Sequence, residues 1–259
     1  MTYHLSFCGC GLMVIYQVGV VECFITHGGR FLSRVDKLAG ASAGALVAVA
    51  MATKLKEFHI MKDLSYKMAA GIRQREIGIF TQKSNIMLSV EQHLREFLPE
   101  DAHQMATGKL FTSLSELSRH TKPRLKNILI SEYDSNGFLI QCLLASCHIP
   151  GYAGTTKPLH IRGKSYIDGG FTDNLPVFPT GRTITVSPFS GHQDISPTDR
   201  SVLGLRVRTV NQDFQFNLRN LHRGVRALVP PNKTGLERIY EQGWGDAVRF
   251  LKKEGLFDQ

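Results

Sequence analysis

The spacing of apolar and polar positions changes period several times along the chain. Residues 3–8 (YHLSFC) alternate imperfectly and stop at Gly9, which predicts a first strand. Val14 to Phe24 is an apolar stretch of helical character that closes near Gly28 and Gly29. Val35 to Ala39 predicts a second short strand. Ala43 to Ala52 predicts a helix of small residues able to approach a sheet closely. Strand, glycine turn and helix, given twice in succession, is the order of a parallel α/β sheet.

Residues 57–107 are predicted mostly helical, with breaks at Gly71, Gly78 and Pro99. Strands are expected over Leu110–Leu117 and Lys126–Ser131, and a helix over Phe138–Cys147, stopping before Pro150. A short strand, Lys164–Asp168, runs into Gly169-Gly170. Thr183–Ser187 and Val202–Val207 are further strand candidates. Two helices are expected at the C-terminal end. In the first, Phe214, Leu218, Leu221, Val225 and Leu228 form one apolar stripe, with Arg219, Arg223 and Arg226 off it. In the second, Leu236, Tyr240, Trp244, Ala247 and Leu251 share a face. Such stripes ordinarily cover a core; the other reading is an interfacial pair with a basic rim on lipid headgroups.

Length and composition narrow the class. With 259 residues and 42% hydrophobic content, the chain can bury a sizeable core. No low-complexity block divides it, so one domain over residues 1–259 is expected. No run of 18 or more apolar residues and no secretory signal pattern is present, which predicts a cytoplasmic chain. The five cysteines show no disulfide framework and no zinc spacing, so buried free thiols in a reducing compartment are expected. The formal charge of +9 is compatible with nucleic acid, an anionic membrane or an acidic substrate. The chain lacks nucleic-acid motifs and any Lys/Arg run longer than two, so no nucleic-acid partner is expected.

Candidate chemistry centres on GASAG, residues 40–44. A strand turning abruptly into a helix would present Ser42 as a nucleophile, with Gly40 and Gly44 relieving the crowding. A small-residue turn that only packs a helix would read the same way. Gly9-Cys10-Gly11 also sits between strand and helix. Its backbone amides could form an oxyanion hole, cradle a phosphate, or simply make a turn. Asp168, followed by Gly169 and Gly170, could be a general base or an ordinary Asp-Gly turn. A base would need partial desolvation, because an ordinary aspartate near pKa ~3.9 is weak for this task. The later histidines His192 and His222 are rival bases, expected to be surface residues.

Together these segments resemble the patatin-like phospholipase family. The likeness continues through TDNLP (172–176), TITVSPFSG (183–191), DISP (194–197) and FNLRNL (216–221), nearly the whole chain. It is similar to the animal adiponutrin and adipose-triglyceride-lipase branch, especially its short members. The resemblance implies a three-layer α/β/α fold with a mainly parallel central sheet. Its core would span about 4–180, with C-terminal helices at about 213–254 packed on it. It also implies a Ser42–Asp168 dyad, oxyanion amides around Gly9, Cys10 and Gly11, and no metal or cofactor. The implied activity is hydrolysis of lipid esters (triacylglycerol, phospholipid or retinyl ester) or transfer of their acyl groups. Peripheral contact with lipid droplets or membranes is expected, and a protein activator is left open. One departure stands out: Val14 replaces the last glycine of the family's glycine-rich turn. It alone favours the rival reading, a catalytically weakened lipid-surface protein that recruits or sequesters a partner.

Overall fold

The computed structural model describes residues 2–53, 55–74, 86–118, 124–152, 155–199 and 205–258. The predicted order of elements is found, with shifted ends. The first half contains β1 (Tyr3–Phe7), α1 (Val14–His27), α2 (Gly29–Leu32), β2 (Val35–Ala41) and α3 (Ala43–Thr53). The helical stretch that follows holds α4 (Ile60–Gln74), α5 (Ile86–Phe97) and α6 (Ala102–Ala106). Next come β3 (Leu110–Leu117), β4 (Leu125–Ile130), α7 (Asn136–Ser146), β5 (Leu159–Ile161), β6 (Lys164–Asp168) and β7 (Arg182–Val186). The last part holds β8 (Arg206–Thr209), β9 (Gln212–Gln215), α8 (Leu218–Leu228) and α9 (Lys233–Lys253).

Seven strands form the central sheet, in the order β5-β6-β3-β2-β1-β7 with β4 paired to β3. The run β7-β1-β2-β3 is parallel, as the α/β grammar requires. The pairs β3–β4, β3–β6 and β5–β6 are antiparallel. Buried Leu5, Phe7, Leu38, Leu110 and Ile184 fill the sheet interior, and α3 lays its alanines against it. The five cysteines are all free thiols, four of them buried.

Several expectations are corrected. Gly71 does not break a helix, because α4 runs through it. One internal glycine costs only about 1 kcal/mol, which the packing of the helix's apolar face offsets. Phe214 belongs to β9, opposite Val207, and not to a helix. Asn217 explains this: its side chain accepts from the Asn220 amide and caps α8, so the helix starts at Leu218. The expected strand Val202–Val207 begins outside the described residues; the strand found is β8, in a hairpin with β9 that the spacing did not reveal. Gly78 also lies outside the described residues.

The two C-terminal helices behave in opposite ways. In α9, Leu236, Ala247 and Leu251 are buried, and the helix packs on α1. A Cβ on Gly243 would lie 2.0 Å from the Tyr16 carbonyl oxygen, so the two backbones nearly touch. In α8 the apolar stripe faces solvent: Leu218 is 83% and Leu221 67% exposed, whereas Asn220 and Arg223 are buried. The polar face of α8 is held inward by hydrogen bonds to Ser190 and Asp199.

Candidate active site

Strand register explains why two residues distant in sequence meet. β4 occupies one edge of β3 from Thr112 to Leu117. The other edge is shared end to end. β2 pairs there up to Ala41 opposite Ser113, and β6 takes over with Asp168 opposite Leu114. Because β2 runs parallel to β3 and β6 antiparallel, their carboxyl ends point at each other. The residue after β2 is Ser42, and the last residue of β6 is Asp168. There the Ser42 hydroxyl lies close enough to the Asp168 carboxylate to lower its pKa.

Ser42 sits on a strained turn. Its φ is 53°, the left-handed region that a non-glycine residue seldom adopts. The flanking glycines are sterically required. A Cβ on Gly40 would lie 2.4 Å from the Gly44 carbonyl carbon, and one on Gly44 2.1 Å from the Phe7 carbonyl oxygen. The Ser42 amide donates to Ser146 Oγ (2.9 Å), which donates to the Ser113 carbonyl (2.7 Å). The positive end of α3 lies directly behind the hydroxyl.

Asp168 is 4% exposed. Burial pushes its carboxyl up to about 6, with the Ser42 hydroxyl and the Gly170 amide pulling partly the other way. The desolvation expected of a base is therefore present. The Gly170 amide donates to Asp168 Oδ1 at 2.7 Å. A Cβ on Gly169 would lie 2.1 Å from the Ser113 carbonyl oxygen, so that turn is also glycine-dependent.

The glycine turn after β1 lies alongside. A Cβ on Gly9 would stand 3.0 Å from Ser42 Cβ. The Gly9 amide already donates to Asn174 Oδ1 (3.0 Å), and Asn174 Nδ2 donates back to the Gly9 carbonyl (3.2 Å). The Gly9 amide is thus already engaged, and Gly9, Cys10 and Gly11 all line the cavity. Gly11 has φ +52° and packs against the Ala227 carbonyl of α8. Val14 takes ordinary helical angles (φ −49°, ψ −30°), so the departure there starts α1 without strain.

Above Ser42 opens a cavity of about 530 Å³. Leu46, Val49, Met61, Met68, Leu94 and Phe97 are among its walls, and Tyr152 also lines it. His192 is exposed, and His222 bonds Arg226 on the surface of α8 (3.2 Å). Neither lines the cavity. Sequence reasoning missed Asn174, whose signal was its place in TDNLP just after the Asp-Gly-Gly turn. It also missed Cys147, which touches the Ser42 side chain and whose thiol burial pushes up.

A serine on a strand–helix elbow thus sits beside a buried aspartate at the end of a neighbouring strand, within an α/β fold. A family model described as "Patatin-like phospholipase" matches residues 5–180, and the chain belongs to that family. It is 39% identical to human patatin-like phospholipase domain-containing protein 4, over 98% of both chains. It is 37% identical to human patatin-like phospholipase domain-containing protein 2 over 100% of this chain, which spans 50% of that relative. The mouse omega-hydroxyceramide transacylase is 34% identical over 97% of this chain and 41% of its own length. The solved structure of VipD from Legionella pneumophila shares the fold, with a TM-score of 0.52 and 12% identity, over 97% of this chain and 67% of that one.

Proposed function

We propose that this chain is a serine acyl hydrolase of lipid carboxylic esters, with Ser42 as nucleophile and Asp168 as its base. The observation that carries this reading is the strained Ser42 beside a buried aspartate, beneath an apolar cavity. The Ser42 Oγ attacks the ester carbonyl carbon while its proton passes to Asp168. The carbonyl oxygen becomes an oxyanion facing the Cys10 and Gly11 amides, where each donor contributes roughly 3–4 kcal/mol. Collapse expels the alcohol, which takes the proton from Asp168 and leaves an acyl-serine. Water then repeats the sequence and releases the acid. An alcohol acceptor in place of water gives transacylation by the same steps, and the relatives named above include a transacylase. The apolar cavity suits an acyl chain, and the site would work at a lipid surface.

The test is labelling with a fluorophosphonate probe, which needs no choice of substrate. Wild type should label, and Ser42→Ala and Asp168→Asn should not. His192→Ala and His222→Ala should label as wild type does. A folded wild-type protein that does not label would discard the hydrolase reading in favour of a lipid-surface protein with a silent site.

A further inference from the structure

We propose that α8 and the adjoining β8–β9 hairpin form a docking face for an anionic lipid surface, set at the rim of the catalytic cavity. The choice of lipid as occupant rests on the ester-hydrolase reading above.

The orientation of α8 is the first observation. Leu218, Leu221, Val225 and Leu228 recur every three or four residues and all face solvent, joined by Phe216 just before the helix. This inverts the usual arrangement of a surface helix. It is not loose packing, because the inner face is tied down by a buried polar network. Arg223 grips Asp199 with two hydrogen bonds (2.5 and 3.1 Å), and Ser190 Oγ donates to the same carboxylate (2.9 Å). Asn220 accepts from the Ser190 amide and donates to the Ser190 and Gln215 carbonyls. The helix therefore cannot roll its stripe inward without stranding a buried ion pair.

Charge decides between occupants. Between Leu205 and Val229 the chain carries five arginines and one acidic residue, Asp213. Arg223 is the buried anchor. Arg206 and Arg208 are exposed on β8, and Arg219 and Arg226 flank the leucine stripe. Arg219 also comes within 3.5 Å of Asp199, with its side chain mostly in solvent. An outward apolar stripe bordered by arginines matches an interfacial helix seated among anionic headgroups.

Position is the third observation. A groove bounded by Gly9, Asn174, Phe214, Leu221, Val225 and Leu228 connects the stripe to the turn beside Ser42. Tyr152 OH donates to the Leu228 carbonyl (3.1 Å) and ties the cavity mouth to the end of α8. A lipid ester could thus pass from the surface to Ser42 without crossing water.

The test is co-sedimentation of the whole chain with phosphatidylcholine vesicles, with and without phosphatidylserine. Two variants are compared, Phe216→Ser/Leu218→Ser and Arg206→Gln/Arg226→Gln, none of which lines the cavity or pairs with Asp199. Wild type should prefer the anionic vesicles and release with added salt. Each variant should bind roughly tenfold more weakly, with unchanged melting and unchanged hydrolysis of a water-soluble short-chain ester. Vesicle binding equal to wild type in both variants would overturn the proposal. So would a wild-type dimer that Phe216→Ser/Leu218→Ser dissociates without affecting vesicle binding, since the face would then belong to a second copy. Binding is read on Ser42→Ala as well. A chain that docks through α8 yet fails to label with fluorophosphonate sinks the hydrolase reading alone. One that labels but ignores these substitutions on vesicles sinks the docking face alone.

Discussion

Asp168 carries two opposed consequences at the scale of single residues. Its carboxyl is pushed from 3.8 to about 6 by burial. A base of this kind works only when ionised, so hydrolysis of a soluble ester should fall as pH drops through about 6. Stability has the opposite sign. The folded state holds the proton more tightly than the unfolded state. That advantage is complete below the ordinary carboxylate pKa and is lost as pH rises through about 6. Above it the buried charge costs about 2–3 kcal/mol, at about 1.4 kcal/mol per pKa unit. Asp168→Asn should therefore abolish activity yet raise the melting temperature near pH ~8, with little gain near pH ~4. Denaturation at the two pH values checks it; equal shifts at both would count against the account. Asn174 grips both backbone groups of Gly9, next to Ser42. Asn174→Ala should lower kcat by roughly 10–100-fold with little change in KM, because it loosens the turn bearing the Cys10 and Gly11 amides. Steady-state kinetics on a short-chain ester separates the two constants.

Among elements, the β2–α3 elbow was legible and α8 was only half so. GASAG between an apolar strand and a small-residue helix points to one turn, and both glycines prove to lie where a Cβ would strike backbone. The stripe on α8 was equally plain in the sequence, but periodicity says only that a helix has two faces. The structure turns the face of Asn220 and Arg223 inward, because Arg223 meets Asp199 and Asn220 meets Ser190. Burial raises the Asp199 carboxyl, but the hydrogen bonds and charge of Arg223 outweigh it and hold the group below its ordinary value. Arg223→Met should cost about 3–5 kcal/mol, since the buried Asp199 charge keeps only the solvent-exposed Arg219. Adding Asp199→Asn should recover part of that loss. Urea unfolding of the single and double variants measures both.

The whole molecule is closed by α9 lying on α1, and the contact is backbone to backbone. Gly243 has the Tyr16 carbonyl oxygen 2.0 Å from where a Cβ would stand, whereas Gly245, on the same helix, has nothing within 4 Å. Gly243→Val should therefore force the helices apart and destabilise by more than about 3 kcal/mol. Gly245→Ala should be neutral or gain up to about 1 kcal/mol, as glycine-to-alanine changes do in exposed helices. Thermal unfolding of the pair tests whether this crossing, rather than helix propensity, holds the C-terminal helix. Among the described residues no helix is long and apolar enough to cross a membrane.

The sequence by itself determined most of the strands and helices, though not the β8–β9 hairpin, together with the elbow at Ser42 and the carboxylate at the end of a short strand. Those features depend on side-chain period and on glycine within a few residues, and such information is local. Only the tertiary structure decided that Ser42 and Asp168 touch, because that requires β2 and β6 to share one edge of β3 from opposite directions. It also decided that Asn174 takes up the Gly9 amide, and that the leucines of α8 face outward. Each of these turns on which buried polar group finds which partner across the fold, and residue spacing carries no record of that pairing.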